Sequence, residues 1–176
     1  AFVEGYSLYP NDSRFIEGLE ESSKQLLNLA IRYHEQGNFN NASSRYEKLL
    51  STDAVNNEIK LEAELRKKYA SKNKRIPTAN NLINQAEKDS TASGKFNKYV
   101  EGYIFYPSNE KIFKGLLISS YDLYNYAIRV HERKQYSTAI SRYELLINSP
   151  GVPEYIKDSA TLNIKYAKAK KSPESK

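Results

Sequence analysis

The sequence has no cysteine, only two histidines, and just seven glycines and six prolines in 176 residues. Without cysteine there is no disulfide framework, no thiolate nucleophile and no thiolate metal site, and the redox compartment is left open. Scarce glycine and proline, beside plentiful Leu, Ala, Glu, Lys, Gln and Arg, tilt local preference towards helix throughout. No apolar run approaches the roughly 20 residues that cross a bilayer, so no membrane span is expected. A P-loop, a dinucleotide fingerprint, a zinc signature and a serine nucleophile elbow are all missing, which predicts a chain that is not an enzyme and carries no cofactor. The opening Ala1-Phe2-Val3-Glu4 has neither an initiator methionine nor a signal-peptide layout, so a piece of a longer or processed protein is expected.

What the chain does contain is enough apolar material, 39% of residues, for one sizeable core or an elongated stack of helices. Its net charge of +6 suits anionic surroundings, although solubility alone also accounts for it. Lysine outnumbers arginine 19 to 8, and Asn, Tyr and Ile are generous. That balance is typical of AT-rich bacterial genomes, and leaves a bacterial cytoplasm and a secreted or cell-wall setting equally open.

An internal repeat organises the chain. Laid over residues 100–171 at a constant offset of 97, residues 3–74 give 32 identities in 72 positions without a gap. Val3-Glu4-Gly5-Tyr6 matches Val100-Glu101-Gly102-Tyr103, Ala30-Ile31-Arg32 matches Ala127-Ile128-Arg129, and Ser44-Arg45-Tyr46-Glu47 matches Ser141-Arg142-Tyr143-Glu144. Two copies from a duplication are expected, 3–74 and 100–171, joined by a helix and loop over 75–99 within a single helical-repeat domain spanning 1–176. Inside each copy the apolar residues fall at helical spacing. Leu26, Leu29, Ala30 and Tyr33 form one stripe, and Phe39, Ala42, Tyr46, Leu49 and Leu50 form the next. Val55, Ile59, Ala63 and Tyr69-Ala70 suggest a third helix. Another is expected at about 78–89, then a loop from Ser90 to Gly94 and a short aromatic helix before Pro107. Asn11 or Asp12, and Ser108 or Asn109, stand where helix caps are wanted.

The stretch from Ala30 to Ala42, followed by Tyr46-Glu47-Lys48-Leu49-Leu50, resembles the tetratricopeptide repeat: a small residue and Tyr in one helix, a Gly-aromatic turn, then Ala and an aromatic in the next. Ala127 to Leu146 is similar, with Lys134 in place of the turn glycine. The resemblance covers about 23–51 and 120–148. It implies an all-α fold of antiparallel helical hairpins stacked as a right-handed α-solenoid, although the period of 97 is nearer three family-length units than one. It also implies that the first helix of each pair lines a concave groove, which would set Asn28, Ile31, His34 and Glu35, with Tyr124, Asn125, Ile128, His131 and Glu132, against a partner. The family's carboxylate clamp is not matched, because Leu27 and Ile31, or Tyr124 and Ile128, fill its Lys and Asn places.

His34-Glu35 and His131-Glu132 could serve acid-base or metal chemistry, but adjacent helix residues point about 100° apart, and no second ligand stands at metal spacing. The groove reading predicts that losing either histidine weakens binding and leaves melting unchanged. Arg66, Lys67, Lys68, Lys72, Lys74 and Arg75 form the densest basic run. Clustered cations reward nucleic acid, yet they also belong at helix C-termini, and nucleic acid is disfavoured. Clusters such as Tyr121-Tyr124-Tyr126, among fifteen tyrosines, suit a sugar-stacking or protein-binding surface, although most tyrosines should fill helix seams. The sequence therefore predicts a non-catalytic scaffold binding a protein or peptide. The alternative is an anionic-polymer or glycan-binding module of an extracellular enzyme associated with the cell wall.

Overall fold

A computed structural model describes residues 2–174 of the chain, apart from the Phe2 side chain. The described residues form helices and connecting turns and contain no strand. In order these are α1 (Phe2–Leu8), α2 (Ser13–Glu35), α3 (Phe39–Leu50), α4 (Asn57–Ala70), α5 (Ala79–Lys88), α6 (Ala92–Phe105), α7 (Glu110–Glu132), α8 (Tyr136–Ile147) and α9 (Glu154–Lys168). Contacts divide the chain into two compact units, Ala1–Ile76 holding α1 to α4 and Pro77–Lys176 holding α5 to α9. The single domain expected over 1–176 is thus described as two units, and α5, expected as part of a connector, belongs to the second.

Helix boundaries follow from local hydrogen bonding. The first amides of a helix have no partner inside it, and short polar side chains supply one. Asp12 accepts from the Arg14 amide, Asn56 from Glu58 and Asn109 from Ile112, at 3.0, 2.7 and 3.1 Å. Thr91 accepts from the Gly94 amide at 3.0 Å, so α6 begins at Ala92 and not beyond Gly94. The loop expected from Ser90 to Gly94 is corrected for that reason: a good cap outweighs the poor helix preference of one glycine.

In the first unit α2 packs on α3, α3 on α4, and α2 also reaches α4. In the second unit α7, α8 and α9 repeat these contacts, with α5 and α6 packed at the other side of α7. Alanine sets the close approaches. Ala30, Ala42 and Ala63 are fully enclosed, as are Ala127, Ala139 and Ala160, and helices meeting at such small side chains can sit near the short end of the usual interaxial range. Around them lie Tyr46, Leu49 and Ile59 in the first core, and Tyr143, Leu146 and Ile156 in the second.

The turn from α2 to α3 ends in a left-handed residue, Gly37 at φ 78°. The Gly37 amide bonds the His34 carbonyl and the Asn38 amide bonds the Tyr33 carbonyl, so two carbonyls left over at the helix end are satisfied. Lys134 adopts the same conformation, φ 61°, between α7 and α8, with equivalent bonds from its own amide and that of Gln135. The turn geometry therefore survives without glycine, at the cost that a Cβ incurs at positive φ. Nothing lies within 4 Å of where a Gly37 Cβ would stand, so φ alone sets the effect of substitution there. Lys134→Gly should stabilise the chain by about 1 kcal/mol and Gly37→Ala should destabilise it by about as much, read from denaturant unfolding. Shifts of the opposite sign would mean that these turns are not held left-handed.

Candidate functional site

The two histidines expected to face a groove have buried side chains. Both are enclosed, at 2% and 1% exposure, and each is held by an equivalent pair of partners, one carbonyl and one tyrosine hydroxyl. The His34 Nε2 lies 2.8 Å from the Lys74 carbonyl oxygen and its Nδ1 lies 3.4 Å from the Tyr46 hydroxyl. For His131 the partners are the Lys171 carbonyl at 2.9 Å and the Tyr143 hydroxyl at 3.3 Å. A carbonyl can only accept, so Nε2 carries the proton, and in the neutral ring Nδ1 then accepts from the tyrosine. Phe39 and Tyr136 close over the respective rings edge-on.

The carbonyls reach the imidazoles because of how α4 and α9 end. Asn73 and Lys170 are left-handed, at φ 52° and 54°, and the amides of Lys74 and Lys171 bond back to the carbonyls of Tyr69 and Tyr166. Each cap turns the next carbonyl inward onto the last turn of α2 or α7. The histidine therefore joins three helices, and the expected contact of His34 and His131 with a partner is corrected on that ground. Burial pushes the His34 imidazole below its ordinary value, against the opposing pull of its bond to the Lys74 carbonyl. Burial also pushes the Tyr46 phenol up to about 12 and raises that of Tyr143.

The remaining expected groove residues divide. Asn28, Glu35, Asn125 and Glu132 are exposed, while Ile31, Ile128 and Tyr124 are half-buried against the cores. The basic run is partly engaged. Arg66 pairs with Glu62 at 2.7 Å and Lys67 pairs with Glu47, whereas Lys68, Lys72, Lys74 and Arg75 are exposed around the end of α4. No cluster of metal-ligating side chains occurs among the described residues, and none of their helices is long and apolar enough to cross a membrane.

A built site does occur in the second unit, between α7 and α9. It is a cleft of about 400 Å³ lined by Tyr121 and Tyr124 of α7, by Tyr155, Ile156, Asp158, Ser159, Leu162 and Asn163 of α9, and by Glu174. Tyr121 and Tyr155 stand at its mouth, about half exposed, with hydroxyls 2.5 Å apart and rings 6.1 Å apart. At its base Asn163 is 1% exposed, and its amide donates to the Tyr124 hydroxyl at 2.9 Å. Burial raises the Tyr124 phenol, partly offset by that bond. Elsewhere on α7, Phe113 and Ile118 are also about half exposed.

Sequence reasoning named Tyr124 for the groove and Tyr121 for an aromatic cluster, but missed Asn163 and Tyr155. It weighed identities between the copies, while these residues are marked by difference. At the offset of 97, Glu20 becomes Leu117, Glu21 becomes Ile118, Lys24 becomes Tyr121, Leu27 becomes Tyr124, Glu58 becomes Tyr155 and Arg66 becomes Asn163. One face loses charge and gains aromatic surface, while the residues beneath it stay the same. Comparison with family models, curated proteins and solved structures returned no match.

The lowered His34 pKa makes its tie dependent on pH. An unfolded chain binds the proton more readily than the folded one, so this stabilisation is present above about pH 6.5 and is lost as the pH falls through the lowered folded value. His34→Gln should cost about 1 to 3 kcal/mol near pH 7.5, because the Lys74 carbonyl or the Tyr46 hydroxyl loses its partner. The melting temperature of the variant should also fall less than that of the parent between about pH 7.5 and 5. Parallel falls would remove His34 from the titration.

Proposed function

We propose that the chain is a non-catalytic, peptide-binding scaffold module of a larger bacterial protein, built as a duplicated, tetratricopeptide-like stack of helical hairpins. The packing of each helix on its neighbour within a unit, with α2 also reaching α4, α5 reaching α7 and α7 reaching α9, supports the stacked reading. So does the offset of 97 between α2 and α7, and between α3 and α8, which have the same lengths. The observation that carries the binding reading is the α7–α9 cleft, an apolar concavity with a few converging polar groups, where the first unit has Lys24, Glu58 and Arg66 at the matching places. Tyrosines with one apolar face and one wet edge are well suited to such a surface.

The cell-wall polymer or glycan reading draws on the same tyrosines and on the exposed lysines after α4. Engagement of Arg66 and Lys67 by Glu62 and Glu47 weakens its charged half. The two readings part on salt, because contacts between exposed charges are screened within about 8 to 10 Å near physiological ionic strength, whereas apolar contact is not. The test is an array of unselected peptides probed with the purified chain, next to a wall-polymer preparation. Selected peptides should keep their affinity within about threefold between roughly 50 and 500 mM salt. Transplanting the first unit's residues, Tyr121→Lys with Tyr155→Glu, should weaken them by about tenfold or more without altering melting. Absence of any peptide binder, with retention on polymer that salt abolishes, would favour the alternative.

A further inference from the structure

The base of the cleft is already occupied by main chain. The Asn163 side-chain oxygen accepts from the Glu174 amide at 2.8 Å, and its Nδ2 donates to the Glu174 carbonyl at 3.2 Å as well as to Tyr124. These bonds fix which carboxamide atom is oxygen and which is nitrogen, since an amide N–H needs an acceptor. One buried side chain therefore takes both hydrogen-bonding groups of one residue, as a neighbouring strand does in a hydrogen-bonded antiparallel pair. Such pairing reads backbone and ignores side-chain identity, which is how extended peptides are held at sheet edges.

We infer that Asn163 is a main-chain clamp for an extended partner peptide, which binds the α7–α9 cleft by replacing the chain's own residue 174. This rests on the peptide-binding reading above and specifies how the peptide is held. The segment leading to Glu174 shows the path: Lys171 is held at His131 in the last turn of α7, and Glu174 lies by Tyr124 two turns nearer the start of that helix. A peptide in this track would pass towards Tyr121 and Tyr155, so it carries an apolar or aromatic residue next to the clamped one.

Two observations separate a clamp from a mere tether. The cleft that Glu174 lines is walled by Tyr121, Tyr124 and Tyr155, which a tether does not require. The first unit keeps the histidine tie but has Arg66 at the Asn163 position, which cannot accept an amide N–H, and Pro77 at the Glu174 position, which has none to give. The pairing is thus an addition to a frame that stands without it. The geometry also selects peptide over acetamido sugar. The two groups held here belong to one residue and face one side, whereas the N–H and C=O of a single trans amide point apart, beyond the reach of one carboxamide.

The test uses the full chain carrying Glu174→Pro, which deletes the clamped N–H and loosens the chain's own hold on the cleft while leaving the α7 and α9 side chains that line it unchanged. The probes are a fluorescent peptide of residues 168–176, the same peptide N-methylated at Glu174, and the tightest peptide from the array. The unmodified self-peptide should bind the Pro variant at least about fivefold tighter than the parent, and N-methylation should cost about tenfold. Asn163→Leu, checked for unchanged melting, should erase the difference between the two self-peptides. Equal binding of both self-peptides overturns the clamp. An array peptide that needs Tyr121 and Tyr155 but is indifferent to Asn163→Leu overturns the clamp and leaves the peptide-binding function standing, whereas failure of every peptide on the Pro variant overturns both.

Discussion

A buried imidazole held between a tyrosine hydroxyl and a backbone carbonyl is the joint on which each unit depends. The histidine ends one long helix, the tyrosine lies within the next, and the carbonyl follows the end of the third. A buried ring N–H with no partner costs about 1 to 3 kcal/mol, so the helix end and the ring must be retained together. The left-handed residues Asn73 and Lys170 belong to the same constraint, because without them the carbonyl would not turn inward. This accounts for the identity of His34 with His131 and of Tyr46 with Tyr143. They stand at matching places in the sequence and act as equivalent joints in the two units.

A frame fixed in this way frees the outer face to change. The α2–α4 face of the first unit carries Glu20 paired with Lys24 and Glu62 paired with Arg66. On the corresponding face of the second unit, leucine, tyrosine, serine and asparagine stand at those places. The exposed Glu20–Lys24 pair contributes little to stability, so its replacement costs the fold little, while the more enclosed Glu62–Arg66 pair gives way to Ser159 and an Asn163 that bonds Tyr124 and Glu174. Half-exposed aromatic residues around a buried amide are another matter, because apolar surface left exposed in a concavity adds little to folding and invites association. The proposed binding face thus lies where the units differ, and the shared cores and histidine ties lie where they agree.

The helices were legible in the sequence because their signals are local. Apolar spacing marked Leu26 to Tyr33 and Phe39 to Leu50, and Asp12 and Asn109 cap the helices where short polar side chains were wanted. Thr91 was overlooked because the following Gly94 reads as a breaker. The histidine tie could not be read, since its carbonyl lies 40 residues along the chain and depends on a positive φ at Asn73, where no glycine announces it. Asn163 was hidden for a related reason: its partners, Tyr124 and Glu174, are brought together only when α9 folds beside α7 and the chain turns back at Lys170.

The central claim is that the second unit binds peptide on its α7–α9 face while the matching face of the first unit does not. Amide hydrogen exchange along the whole chain, with and without the tightest peptide from an unselected array, tests it most directly. Slowed exchange should gather on α9 around Asn163 and on α7 from Leu117 to Tyr124, with α2 and α4 unchanged. Slowing on α2 and α4 to the same extent, or confined to the exposed lysines after Ala70, would contradict the account.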